Sequence, residues 1–132
     1  MSFITTYTKK YFDPLNVDES LLDIKDIAHA LSLICRGNGH VQYFYSVAQH
    51  SLACAKEAKT RGYSKEVILG CLLHDGSEVY LSDVTRPIKQ ELLNDEINRN
   101  YLKLQRKVDL SFVAFETIEN EFIEFYKETM EI

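Results

Sequence analysis

Apolar residues recur at helical spacing over most of the chain, so the sequence predicts a mostly helical protein. The first helical stretch is residues 18–34, where Asp23 can cap and where one face is formed by Ile24, Ile27, Ala28, Leu31 and Ile34. The next helix starts at Ser46, because Ser46 followed by Gln49 forms a capping box. A third helix, at about 65–75, is apolar nearly all round in its second half, which predicts a central, buried position.

Two shorter patterns interrupt the helices. Residues 3–12 are rich in β-branched and aromatic side chains and predict a short strand or β-ribbon. Residues 35–40, CRGNGH, break the helical pattern, and Gly37 and Gly39 allow positive φ and a close approach to a ligand.

The second half of the chain also has a helical pattern. Pro87 suits the first turn of a helix over 87–95. Helical periodicity resumes at about Asp95 and continues to the end, with a break expected near 113–118. The chain of 132 residues is therefore expected to form one all-α domain, a helical bundle with a short N-terminal β element.

Composition narrows the classes of function. The net charge of −5 argues against binding of a nucleic acid polymer. Cys35, Cys54 and Cys71 are widely spaced and lie among apolar residues, which is typical of reduced core cysteines. The sequence has neither a signal peptide nor a long apolar run, so we expect a soluble cytoplasmic protein without a membrane partner.

The most unusual stretch is residues 71–89, CLLHDGSEVYLSDVTRPIK. A core-like apolar segment runs directly into His74 and Asp75, and Glu78 and Asp83 follow. Ionisable groups next to a core are costly unless they are paired or bind a metal ion. Imidazole and carboxylate both suit a divalent ion, so a metal site is one interpretation, and a solvated helix end is the other.

Other polar residues have two interpretations each. Arg36 ends the first helix, where a cation interacts favourably with the helix dipole, but its planar guanidinium also suits a phosphate. His50 borders the small-residue face of the second helix, where a lone histidine is usually packed or partly exposed. His29 is interpreted as a structural or surface histidine.

His50, followed on another helix by His74 and Asp75, resembles the ligand pattern of the HD-domain metal-dependent phosphohydrolases. The segments DIAHALSLICRGNGHVQYFYSVAQHSLACA and LLHDGSEVYLSDVTRPIK are similar to the 5′-nucleotidase-like branch of that superfamily. The opening MSFITTY and the segment FYSVAQHS are similar to its small phage- and prophage-encoded members. The similarity extends from the N-terminus to about Val108.

The resemblance implies an HD-domain helical bundle that binds one divalent ion, which could be Co, Mn, Ni, Zn, Fe or Mg. His50, His74 and Asp75 match the metal ligands. Further along, Glu78 matches an acid that positions or activates the attacking water, and Asp83 one that contacts that water or the phosphate.

Two basic positions also match the family. The resemblance places Arg36 near the phosphate of the substrate. Lys89 lies where the family often has a lysine after proline, with a less defined role.

The sequence departs from the family at the fourth metal ligand, an aspartate from a later helix. The better alignment leaves that helix largely missing, so the single domain 1–132 is shortened at its C-terminus. Water, a glutamate or a partner chain would then complete the shell, or the protein is a degenerate member. The other alignment makes Asp109 the fourth ligand.

The resemblance implies hydrolysis of nucleotides, with 5′-deoxynucleoside monophosphates as the expected substrates. A nucleoside triphosphate hydrolase and a non-catalytic nucleotide- or partner-binding protein are the alternatives. The aromatic-rich C-terminal pattern is compatible with a homodimer.

Overall fold

A computed structural model of the protein describes residues 3–82, 87–88 and 96–112. It begins with a small antiparallel ribbon, in which β1 (Ile4–Thr5) pairs with β2 (Tyr11–Phe12). Tyr11 is exposed, whereas Phe12 is fully buried and stacks on Tyr80 with ring centroids 4.0 Å apart. This inside–outside alternation is what a strand requires, and it confirms the predicted β-ribbon.

The rest of the described chain is mainly helical, which confirms the all-α fold with a short N-terminal β element. The helices are a 3-10 helix (Glu19–Leu21), α1 (Ile24–Leu33), α2 (Val47–Thr60), α3 (Lys65–Leu73), α4 (Glu78–Leu81) and α5 (Glu96–Phe112). Of the helix expected over 87–95, only residues 87–88 are described. The break expected near 113–118 lies wholly outside the described residues. None of the described helices is both long and apolar enough to span a bilayer.

The first helix starts later than expected. The prediction of one helix from residue 18 was wrong, because two aspartates each start a separate element. Asp18 accepts a hydrogen bond from the Ser20 amide, and Asp23 accepts one from the Lys25 amide at 2.8 Å. Asp side chains that bond nearby amides favour helix starts and turns over helix interiors.

The core lies where α2 packs against α1 and α3, with α5 against α3. Its fully buried large side chains are Phe12, Ile27, Leu31, Leu72, Leu73, Leu104 and Val108. Gly76 allows the turn after α3 to approach this core, because a Cβ there would lie 3.0 Å from Val108 Cγ1 and 3.1 Å from the Leu73 carbonyl oxygen. The turn that follows α3 is thus held tightly against α5.

A buried polar network fastens the β-ribbon to α1. Asp26 is 2% exposed and accepts hydrogen bonds from the Thr8 amide and hydroxyl, at 2.7 and 2.9 Å. Lys10 Nζ lies 2.6 Å from Asp23 Oδ2. This hydrogen bond raises the pKa of Lys10. Burial acts to raise the pKa of the Asp23 carboxyl, but the bond to Lys10 and the Lys25 amide lower it overall.

We expect Asp23→Asn to lower the free energy of unfolding by about 1 kcal/mol at neutral pH, because asparagine keeps the helix cap but loses the charge. The folded-state pKa of Asp23 is lowered, so its contribution is complete above the unfolded pKa of about 3.9 and is lost as the pH falls. Urea unfolding at pH 7 and pH 3 measures this, with Asp18→Asn as the matched cap control. An equal difference from wild type at both pH values would contradict the charge effect.

Candidate metal centre

A closed loop brings the end of α1 next to the start of α2. The Arg36 amide donates to the Tyr45 carbonyl, and the Val47 amide donates to the Ile34 carbonyl, both at 2.8 Å. Between these bonds, Gly37 and Gly39 have φ of +61° and +88°, as the predicted helix break requires. Arg36 therefore lies at the base of the loop, beside the first turn of α2.

The predicted capping box fixes the start of α2. Ser46 Oγ accepts from the Gln49 amide at 3.0 Å, and Gln49 Oε1 accepts from the Ser46 amide at 2.8 Å. Ser46 is fully buried, so the first turn is anchored in the core. His50 follows in this anchored turn, and Cys54 lies one turn later on the same face of the helix.

At the end of α3, the backbone orients the His74 ring. Nδ1 lies 2.6 Å from the Cys71 carbonyl oxygen, which can only accept, so Nδ1 carries the proton of that bond. Nε2 is then directed at Asp75 Oδ2, 3.0 Å away. A histidine whose far nitrogen donates to a backbone carbonyl is the arrangement that holds metal-ligating imidazoles in place.

Gln105 of α5 supports the turn that carries His74 and Asp75. Its Nε2 donates to the Leu73 carbonyl at 2.6 Å, and its Oε1 accepts from the Ser77 amide at 3.0 Å. Gln105 was not among the predicted site residues, because nothing near it in the sequence indicates a partner about 30 positions earlier. The side-chain amide fixes both ends of the turn.

The packing of α2 on α3 brings together three of the residues expected at the site. The His50 and His74 ring centroids are 5.3 Å apart, and the rings meet edge to face. Asp75 Oδ2 reaches both, at 3.0 Å from His74 Nε2 and 4.0 Å from His50 Nε2. All three side chains are partly exposed, so an ion and a substrate can reach them from solvent.

The surroundings shift the pKa values of the two imidazoles in opposite directions. Burial lowers the pKa of His50, and the charges of Arg36 and His74 lower it further. The hydrogen bond to Asp75 raises the pKa of His74. Burial acts to raise the pKa of Asp75, but the bond to His74 and the nearby histidine charges lower it overall. His50 therefore favours the neutral form, which has a lone pair for a metal ion.

Cys54 joins the two histidines in a compact donor group. One ligand atom from each of His50, Cys54 and His74 lies within 4.8 Å of the others, so this group could hold a metal ion. The expectation of a purely structural core cysteine overlooked this contact, since Cys54 is half-buried and its Sγ lies 3.7 Å from His50 Nε2. The spacing of four residues on a helix was the available signal.

The distances suit a divalent ion. Two ligands of one ion are about 3.0 Å apart when each bond is about 2.1 Å and the angle between the bonds is about 90°. The Nε2–Oδ2 distance of 3.0 Å between His74 and Asp75 matches this value. The same distance fits the hydrogen bond that raises the pKa of His74, so an ion bound here would replace the proton on Nε2.

Glu78 and Arg36 lie close to these donors. Glu78 is 7% exposed, hydrogen-bonds to Asp75, and acts electrostatically on His74. Burial is the largest influence on both His50 and Cys54: it lowers the pKa of His50 and raises the pKa of Cys54. The positive charge of Arg36 acts to lower both pKa values. An acid and a cation thus flank the histidines.

Asp109 of α5 is linked to the site through Gln105, whose Nε2 lies 2.9 Å from Asp109 Oδ1. Burial raises the pKa of the Asp109 carboxyl, while the bond to Gln105 and the charge of His74 act to lower it. Among the described residues, Asp109 does not join the compact His-Cys-His group. Asp83 and Lys89, the other expected site residues, lie outside the described ranges.

The chain is similar in sequence to proteins whose names state no activity. No protein-family profile matches it. It is 40% identical over 111 residues to the uncharacterized protein YfdR of Escherichia coli, an alignment that covers 83% of this chain and 55% of YfdR. An uncharacterized protein of Rhodobacter capsulatus is 36% identical over 101 residues, covering 73% of this chain and 47% of that protein. The chain thus spans about half the length of each relative.

Proposed function

We propose that this protein is a metal-dependent phosphohydrolase of the HD-domain type that acts on nucleotides, with 5′-deoxynucleoside monophosphates as substrates. One observation carries the proposal. His50 and the His74–Asp75 pair, which are separated in the sequence, meet at the packing of α2 on α3 with an Nε2–Oδ2 distance that suits a metal ion.

His50, His74 and Asp75 would hold the ion. A divalent ion bound there would polarise a phosphoryl oxygen and lower the pKa of a water molecule. The protein fixes the ligands in advance through the Cys71 carbonyl behind His74 and the Gln105 side chain behind the turn. Ligands that are already oriented lose little freedom when they bind.

Glu78 is the proposed general base. Its side chain is buried, lies one turn after His74, and hydrogen-bonds to Asp75. A hydrogen bond between two carboxyl groups requires one proton, and a divalent ion bound to Asp75 would favour its loss to solvent. Glu78 could then accept a proton from the attacking water without taking a ligand position. A buried carboxylate in such a place can later return the proton to the leaving oxygen.

Arg36 is the proposed phosphate-binding residue. Its charge acts on His50 and Cys54, so a phosphate next to the ion would also be near the guanidinium. Charge-assisted hydrogen bonds are worth about 1.5–3 kcal/mol, or about ten- to a hundredfold in affinity.

We expect Arg36→Ala to weaken binding of a deoxynucleoside monophosphate by about ten- to a hundredfold. Binding of the matching nucleoside, which has no phosphate, should be weakened much less. Calorimetric titration with both compounds measures the difference. Arg61→Ala is the control, because Arg61 ends α2 and pairs with Glu57 on an exposed surface. An equal loss for nucleotide and nucleoside would assign Arg36 a structural role.

Phosphate release from a nucleotide panel tests the proposal. Ribo- and deoxynucleoside mono- and triphosphates are incubated with chelator-treated protein, then with Co²⁺, Mn²⁺, Ni²⁺, Zn²⁺, Fe²⁺ or Mg²⁺. We expect metal-dependent release from deoxynucleoside monophosphates. Cleavage of triphosphates alone would change the substrate class, and binding of nucleotides without turnover under every ion would contradict an enzyme.

A further inference from the structure

The three expected ligands, His50, His74 and Asp75, leave further positions open around an ion. In the described part of the chain, the thiol of Cys54 lies 3.7 Å from His50 Nε2 and joins His50 and His74 in a compact donor group. We propose that Cys54 binds the same ion as a thiolate, so that α2 contributes two ligands and the site selects a thiophilic ion such as Co²⁺, Zn²⁺ or Fe²⁺. This inference rests on the proposed metal site but goes beyond it.

The helix geometry supports a shared ion. His50 and Cys54 are one turn apart on α2, and Cys54 Sγ lies 3.7 Å from His50 Nε2. With a metal–nitrogen bond of about 2.0 Å and a metal–sulfur bond of about 2.3 Å at the tetrahedral angle, such donors are about 3.5 Å apart. His74 lies within 4.8 Å of both, so the ligand atoms converge from two helices.

Burial raises the pKa of the Cys54 thiol, so the charged sulfur depends on the ion, which would displace the proton. The positive charge of Arg36 offsets part of this effect of burial. Asp109, the alternative fourth ligand, is hydrogen-bonded to Gln105. When Cys54 binds, the S–H bond breaks, the sulfur donates its electron pair to the ion, and the proton passes to solvent.

A thiolate changes which ions the site prefers. Soft sulfur ligands favour Zn²⁺, Fe²⁺ and Co²⁺ over Mg²⁺, which prefers oxygen. Cys54→Ser should therefore weaken Co²⁺ and Zn²⁺ binding by about tenfold or more, since even residues behind a ligand cause losses of that size. Mg²⁺ binding should change little.

Co²⁺ spectroscopy tests the sulfur–metal bond directly. Chelator-treated protein is titrated with Co²⁺ without added thiol, and the near-ultraviolet charge-transfer band from thiolate to cobalt is recorded. We expect the band in the wild type and in Cys35→Ser, another half-buried free cysteine, and its loss in Cys54→Ser. Cys71→Ser should keep the band, because the Cys71 thiol is not part of the compact donor group and Cys71 contacts His74 through its backbone carbonyl.

The outcomes separate the two proposals. A band that survives Cys54→Ser, or Co²⁺ binding to the wild type without any such band, would overturn the role of Cys54 and leave the other three ligands in place. In that case the Cys54–His50 contact is only a thiol–imidazole hydrogen bond. Failure of the wild type to bind Co²⁺ would overturn the metal site itself.

A second measurement needs no variant and so does not depend on how Cys54→Ser folds. Alkylation of each cysteine in the wild type is followed by peptide mass spectrometry, with and without Zn²⁺. We expect Zn²⁺ to slow modification of Cys54 about tenfold or more relative to Cys35, because a bound thiolate is no longer a free nucleophile. Equal rates for Cys54 with and without Zn²⁺ would overturn the proposal.

Discussion

His74→Ala is expected to lose bound metal and nucleotide hydrolysis together. The His74 ring is held by the Cys71 carbonyl on one side and faces Asp75 on the other, so alanine removes a ligand that the backbone has already oriented. Metal measured by elemental analysis should fall from stoichiometric to background, and phosphate release should fall with it.

The control is His29→Ala. His29 stacks on Tyr7 with ring centroids 3.8 Å apart and is not part of the compact donor group, so its loss should leave the metal content unchanged. Circular dichroism should show the same helical content in both variants. Unchanged metal in a folded His74→Ala protein would remove His74 from the ligand set.

Glu78→Gln is expected to keep the metal and to lower turnover by about 10²–10⁴-fold, the usual contribution of a general acid or base. Glutamine preserves the size of the side chain and can still hydrogen-bond to Asp75, but it cannot accept a proton. Substrate KM should change little, because the proposed role lies in the proton transfer and not in binding.

The matched control is Glu66→Gln, an exposed acid in the first turn of α3. It should leave the rate unchanged. A folded Glu78→Gln protein with a rate near that of the wild type would rule out Glu78 as the base. Asp83 would then be the next candidate.

Local signals in the sequence were sufficient for several parts of the fold. Ser46 and Gln49 predicted the start of α2, and both hydrogen bonds of the capping box are present. Asp23 caps α1 as expected. Such features depend on residues a few positions apart, so the pattern alone contains the information.

Features that depend on packing between helices could not be derived in this way. The orientation of Cys54 toward His50, and the reach of Gln105 to the Leu73 carbonyl, depend on how the helices are rotated and stacked. Hydrophobic periodicity gives the buried face of each helix but not its exact rotation against a neighbour. The early start assigned to α1 failed for a local reason, because Asp18 and Asp23 cap separate elements.

The most direct test of a metal-dependent hydrolase is a metal titration followed by two readouts in the same sample. Co²⁺ or Mn²⁺ is added stepwise to chelator-treated protein, and bound metal and phosphate release from a deoxynucleoside monophosphate are measured at each step. The account predicts that release is absent without metal and rises in parallel with occupancy of one site per chain. Phosphate release that is unaffected by chelation, or full occupancy with no release from any nucleotide, would contradict it.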